Sequence, residues 1–361
     1  MTNYIFTEED GNLKNLEGLT IGIIGYGNQG KAQALNLRDS GLKVIIGNRG
    51  DEYTKRAKRD GFEVYSIDEA TKIADIVFLL IPDEIMREIY ENQIQPNLRE
   101  KGSIVFASGY NIGFNLIKPS NNHDILLIAP RMIGAGVRER YLSKEGFFSF
   151  VHIENDASGK AKEILLALCK GIGTLTKGVI DISFKQEAVL DLFNEQGFGP
   201  AFGRVLLTSI YTLIDAGYPI EAVLVEMFMS EEMSYTYKKM AQIGLVKQVD
   251  FHSQTSQYGA MSRGIKFVNL PLKKTMKSIL ENIESGDFAK EWEQKASRLK
   301  FKFIKFFATK TKINRLEKEA RKNLGLKSLD YHDVIEPKID QKLTEEMKEE
   351  LAEFEEFFQD L

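Results

Sequence analysis

The chain has a single cysteine, Cys169, so it can form no internal disulfide. One thiol fits a reducing compartment, and a cytoplasmic location is expected. Cys169 sits in the apolar pattern ILLALCKGIG and reads as core. Histidine is also scarce: the four present do not cluster at metal-ligand spacing, so any metal would have to be held by carboxylates. No apolar run approaches the roughly 20 residues of a membrane span. The start, MTNYIFTEEDGNL, lacks the basic residues and apolar stretch of a signal peptide. A basic excess is missing too. The net charge of -4 argues against a general nucleic-acid binder.

What is present points to a soluble, two-domain chain. At 361 residues it exceeds one comfortable hydrophobic core. Short apolar runs alternate with helical patterns in the first half. TIGIIG (20–25), KVIIG (43–47), DIVFLLIP (75–82), SIVFASG (103–109) and DILLIAP (124–130) read as strands. A helix is expected from Asn28 to Gly41, and another across Arg56–Asp60 ending at Gly61. Such alternation implies right-handed crossovers and a doubly wound parallel sheet. After about Ile180 only helical patterns follow. The expected division is residues 1–180 as a Rossmann domain, 181–325 as a helical domain, and 326–361 as an acidic amphipathic extension. In that extension Leu343, Met347, Leu351, Phe354 and Phe358 share one helical face.

Gly25-Tyr26-Gly27-Asn28-Gln29-Gly30 fits G-x-G-x-x-G between a strand and a helix, which is the context a dinucleotide site requires. Gly25 permits the turn, Gly27 lets backbone approach a pyrophosphate, and Gly30 lets helix pack on strand. The helix N-terminus attracts phosphate. At the end of the second strand an NAD enzyme usually carries an acid; here Gly47-Asn48-Arg49 stands instead. Arg49, helped by Lys55 and Arg56, suits a 2′-phosphate, whereas Asp51 and Glu52 oppose one. NADP is favoured slightly over NAD, and use of both is expected.

The segment FKQEAVLDLFNEQ places Glu187, Asp191 and Glu195 on one helix face at i, i+4 and i+8. Like charges at that spacing repel, so the stripe is either solvated or neutralised by a cation. Magnesium is the hard cation such carboxylates suit.

Several segments together resemble one family. DLFNEQ resembles the DLFGEQ of ketol-acid reductoisomerases, enzymes of branched-chain amino-acid biosynthesis. IGIIGYGNQGKAQALNLRDSG, LLIPDE (79–84), DAGYPIEAVLVE (215–226), SQTSQYG (253–259) and MKSILENIESGDFAKEW (276–292) are similar to further segments of that family, in order, over about residues 13–325. The resemblance implies a Rossmann domain followed by an all-helical, knotted domain. It implies a magnesium-dependent alkyl migration on a 2-hydroxy-2-acyl acid, followed by hydride transfer from NAD(P)H. Gly25, Tyr26, Gly27, Asn28, Gln29, Gly30, Arg49 and Pro82 would contact the cofactor. Asp191 would bridge two metal ions and Glu195 would ligate one. Glu226, from a partner subunit or a facing helix, would act in catalysis and substrate binding, and Ser253 would touch the substrate carboxylate. A homodimer or higher homo-oligomer with shared sites is implied, acting on a small anionic substrate without nucleic acid or membrane.

Three departures stand out. The family's HGFN is Ser108-Gly109-Tyr110-Asn111 here, and its APKGPG is Ala129-Pro130-Arg131-Met132-Ile133-Gly134. A catalytic lysine is thus Arg131, which is planar, bulkier and never neutral. The position four residues after Glu226 is Ser230, followed by Glu231 and Glu232, so a register shift is needed to restore a second glutamate. Met132 and Ile133 would also fill and reshape the pocket. These changes point to a reductase of a small 2-keto or related acid whose isomerase step is weakened or lost. The alternatives are a full reductoisomerase, a C=N reductase, and a dinucleotide-binding pseudoenzyme or sensor.

Overall fold

The computed structural model describes residues 4–294, 296–297, 300–301, 304 and 311–326. The amphipathic stretch 343–361 lies outside these residues. The first part of the chain runs β1 (Ile5–Phe6), β2 (Thr20–Ile24), α1 (Asn28–Asp39), β3 (Lys43–Gly47), α2 (Glu52–Arg59), β4 (Val64–Tyr65), α3 (Ile67–Ile73), β5 (Ile76–Leu79), α4 (Asp83–Ile89), β6 (Ser103–Phe106), α5 (Tyr110–Gly113), β7 (Asp124–Pro130), α6 (Gly134–Leu142), β8 (Ser149–Asn155), α7 (Ala161–Ile172) and β9 (Val179–Asp181).

The strands form one sheet in the order β1-β9-β8-β7-β6-β5-β2-β3-β4. From β4 through β7 all pairings are parallel. This block has the strand order of a dinucleotide-binding sheet, with its reversal between β2 and β5. Alternation along the strands explains the two covered faces. Ile21, Ile23 and Phe78 pack in one cluster with α1 and α7 residues, while Ile24, Val77 and Leu79 pack in another with Ala70 and Met86.

The doubly wound expectation holds, with two corrections at the sheet's far side. β8 runs antiparallel to β7, and β1 antiparallel to β9. Neither β1, β4, β8 nor β9 stood out in the sequence. β1, β4 and β9 have only two or three residues each. In β8 polar residues interrupt the apolar pattern, because His152 and Glu154 face outward from a partly exposed strand.

Among the described residues no strand follows Asp181. The chain continues as α8 (Phe184–Phe193), α9 (Gly199–Asp215), α10 (Ile220–Leu224), α11 (Glu232–Ile243), α12 (Gln254–Gly264), α13 (Leu272–Glu284), α14 (Asp287–Trp292) and the helix Lys312–Asn323. A small core of Ile210, Val223, Leu224 and Ala320 forms here. No helix among the described residues is long and apolar enough to cross a membrane.

Candidate active site

The glycine loop leaves β2 and enters α1. Gly25 has φ +94°, and a Cβ there would lie 2.5 Å from the Leu80 carbonyl oxygen. Only glycine combines that backbone with that approach. A Cβ on Gly30 would lie 2.1 Å from the Gly25 carbonyl oxygen, so the loop closes against the helix. Gly27 has nothing within 4 Å of its would-be Cβ. That open backbone at a helix N-terminus fits a pyrophosphate. Tyr26 is different: its side chain is buried, its hydroxyl donates to Asp60 at 2.7 Å, and its ring meets Phe62 edge-on. Only its backbone remains for a cofactor. Gln29 donates through Nε2 to the Met132 carbonyl at 2.9 Å, tying this loop to the segment after β7.

Arg49 follows β3 and is largely exposed. Its Nε pairs with Asp51 at 2.9 Å, while Asp51 also caps α2 through the N–H groups of Tyr53 and Thr54. Glu52 pairs with Lys55 and Arg59. The two acids that oppose a 2′-phosphate are therefore partly neutralised, Asp51 by Arg49 and Glu52 by Lys55 and Arg59 of α2. Pro82 stands exposed at the N-cap of α4.

The carboxylate stripe is set by α8. Ser183 and Gln186 form a reciprocal capping box, and Phe184 packs edge-on against Phe106. This anchors the face that carries Glu187, whose side chain is 1% exposed. Glu187 accepts from the Gly109 N–H at 2.6 Å and from Arg131 Nη1 at 2.8 Å. The other terminal nitrogen of Arg131 donates to Asp191 Oδ1. One guanidinium thus bridges two carboxylates, and it lies 5.1 Å from the centre of the Phe150 ring. Ser108 accepts from the Tyr110 N–H beside this group.

Glu195 belongs to the same row, but α8 does not run on regularly to reach it. A π-helical turn, Asn194–Phe198, begins just before it. Such turns change the side-chain register and recur at functional sites. Burial pushes the Glu187 carboxyl up to about 7; the charges of Asp191 and Asp83 add to this, and the Gly109 N–H and Arg131 oppose it. Glu195 is also raised, by partial desolvation first and by Asp191 next.

The sequence reading passed over Asp83. It accepts from Asn111 Nδ2 at 2.8 Å. Burial lifts its carboxyl to about 6, with Glu84, Asp191 and Glu195 adding to the rise against the pull of Asn111. Its only signal was its place directly after Pro82 in LLIPDE. Glu187 was visible as the start of the stripe, but its pairing with Arg131, 56 positions away, was not.

Glu226 and Ser253 do not join this group. Glu226 is exposed on another π-helical turn, Val225–Met229. Ser253 is exposed and caps α12 through the Ser256 N–H. The chain leaves the helical path at Glu231, φ +62°, before α11 starts at Glu232. Ser230, Glu231 and Glu232 are all exposed. Ile133 is 75% exposed and fills no pocket among the described residues, whereas Met132 is partly buried against the main core.

The fit to magnesium is partial. Both oxygens of Glu187 and Oδ1 of Asp191 are engaged. Asp191 Oδ2 and the Glu195 carboxylate remain. Among the described residues no group of three or more His, Cys, Asp or Glu is arranged to hold a metal ion. Two carboxylates suit one hard cation whose other positions go to water and substrate. They do not suit a pair.

Fold and site together define a nicotinamide-dependent oxidoreductase built from a Rossmann domain and a helical domain. The family model described as the acetohydroxy acid isomeroreductase NADPH-binding domain matches residues 15–178, and that of the ketol-acid reductoisomerase C-terminal domain matches residues 184–325. The chain belongs to the ketol-acid reductoisomerase family. It is 42% identical over 327 residues to "Putative ketol-acid reductoisomerase 3" of Saccharolobus solfataricus, covering 89% of this chain and 98% of that one. It is 43% identical over 297 residues to "Ketol-acid reductoisomerase (NADP(+))" of Petrotoga mobilis, covering 81% and 89%. An NADH-preferring ketol-acid reductoisomerase from an uncultured archean has a solved structure similar to this one, with a TM-score of 0.83 and 33% identity over 88% of this chain and 98% of that chain.

Proposed function

We propose that this chain is an NAD(P)H-dependent reductase of a small 2-keto or related acid, with metal-assisted hydride transfer and a weakened or lost alkyl-migration step. The observation that carries this reading is the guanidinium of Arg131, committed to Glu187 and Asp191. Hydride transfer needs a bound cofactor, a polarised carbonyl and a proton donor. Migration also demands a closely fixed set of groups around the substrate oxygens. Arg131 cannot give up a proton and is held in a planar fork, so it offers charge and orientation but no proton exchange.

Each of the chain's own residues has a part. The Gly25–Gly30 loop holds the pyrophosphate. Arg49 keeps both terminal nitrogens for a 2′-phosphate, which favours NADPH, although NADH remains usable. Asp191 and Glu195 would hold one magnesium ion, and that ion supplies Lewis-acid polarisation of a substrate oxygen. Arg131 orients the carboxylates around it and adds positive charge for an anionic substrate. Ser108 takes the place of the family's histidine beside this group. Glu226 and Ser253 would reach substrate from a second copy of the chain. Supporting that, Leu245, Val246, Tyr258, Ile265 and Val268 each expose more than 70% of their surface on the helical part. A monomer rarely leaves so much apolar surface open, so a homodimer or higher homo-oligomer is proposed.

A second reading, a full reductoisomerase, is favoured by the near-complete coverage of the relatives bearing that name. The metal assignment common to both is tested by Asp191→Asn. Metal-dependent turnover should vanish while NADPH affinity stays within a few-fold. Equal turnover in the variant would overturn the assignment.

A further inference from the structure

We infer that Arg131 occupies the place of one of two cations, so that the active site takes a single divalent ion per subunit. This rests on the metal-assisted reading above and departs from the pair of ions the family resemblance implies. Asp191 would serve two ions best with one free oxygen for each. Here Oδ1 already accepts from Arg131. The guanidinium is a two-pronged cation, with one nitrogen on Asp191 and the other 2.8 Å from Glu187 Oε1.

Arg131 is also fixed from other directions. Its backbone N–H donates to the Phe148 carbonyl at 2.8 Å, and its guanidinium lies against the Phe150 ring. The second oxygen of Glu187 is taken by the Gly109 N–H. A buried Glu187 stripped of its cation would be costly, so the guanidinium does not yield its place readily to an ion. A second ion would sit beside a fixed positive group and find no free carboxylate among Glu187, Asp191 and Glu195. Lysine in the same place would be a single point charge on a flexible stem, able to serve one carboxylate and leave the other open.

The test is a titration of the NADPH-loaded protein with Mn2+, read by calorimetry and by electron paramagnetic resonance. The wild type should bind one Mn2+ per subunit with the spectrum of an isolated ion, and Asp191→Asn should lose it. Arg131→Gln and Arg131→Lys should each admit a second ion and show spin coupling between the two. Should Arg131→Gln not fold, Arg131→Lys, which keeps the charge, decides. A spin-coupled pair in the wild type would overturn the inference and leave the metal-assisted reading standing. No ion in the wild type would overturn both. One uncoupled ion in a folded Arg131→Lys protein would overturn the inference alone.

Discussion

Arg131 donates to Glu187 at 2.8 Å, and this contact joins the end of the Rossmann sheet to the first helix of the helical part. Glu187 is almost wholly shielded, while Arg131 keeps about a quarter of its surface. Removing the arginine should therefore expose an unpaired buried carboxylate. Arg131→Ala is expected to destabilise by about 3 kcal/mol, the low end for a buried pair broken on one side. Glu187→Gln keeps an acceptor for the Gly109 N–H and should cost about 1 kcal/mol. Urea midpoints check both. A smaller loss for Arg131→Ala than for Glu187→Gln would mean that the pair does not hold this junction.

The glycine loop separates folding from binding. Gly30→Ala puts a methyl 2.1 Å from the Gly25 carbonyl, so the loop or helix has to move. Gly27→Ala meets nothing and should leave stability within about 0.5 kcal/mol. Its methyl would stand where the pyrophosphate approaches, and NADPH affinity should fall about tenfold or more, ~1.4 kcal/mol. Melting curves with and without NADPH distinguish the two. Unchanged NADPH affinity in Gly27→Ala would remove that backbone from the site.

Much of this architecture was legible because it rests on local pattern. β3 and β7 run over the residues their apolar runs marked out, and the glycine loop lies between strand and helix as its spacing required. Two-residue strands carry no such pattern, and the antiparallel return of β8 depends on pairing with β7. The site divides the same way. The stripe Glu187–Asp191–Glu195 follows from helical periodicity up to the π-helical turn at Asn194. The partner that neutralises two of its members comes from a distant strand end. Tyr26 looked like part of the cofactor loop because of its position, but Asp60 and Phe62 draw its ring into the core.

Asp83 gives a pH dependence of known sign. Burial raises its carboxyl from 3.8 to about 6 in the folded chain, so the folded state binds this proton more tightly than the unfolded one. Its contribution to stability is full below about pH 4 and is lost as pH rises through about 6. In the metal-free protein, Asp83→Asn should keep the Asn111 contact and remove this loss. The variant's melting temperature relative to wild type should therefore rise between about pH 4 and pH 7. A difference that stays flat, or falls, contradicts the buried state of this carboxyl.

Hydride chemistry is expected to persist with Arg131 held against two of the stripe's carboxylates. The direct measurement is NADPH and NADH oxidation with and without magnesium, using acetolactate beside hydroxypyruvate and a panel of simple 2-keto acids. Magnesium-dependent oxidation with a simple keto acid and little or none with acetolactate is the predicted result. Efficient magnesium-dependent turnover of acetolactate would contradict it and make the chain a complete reductoisomerase.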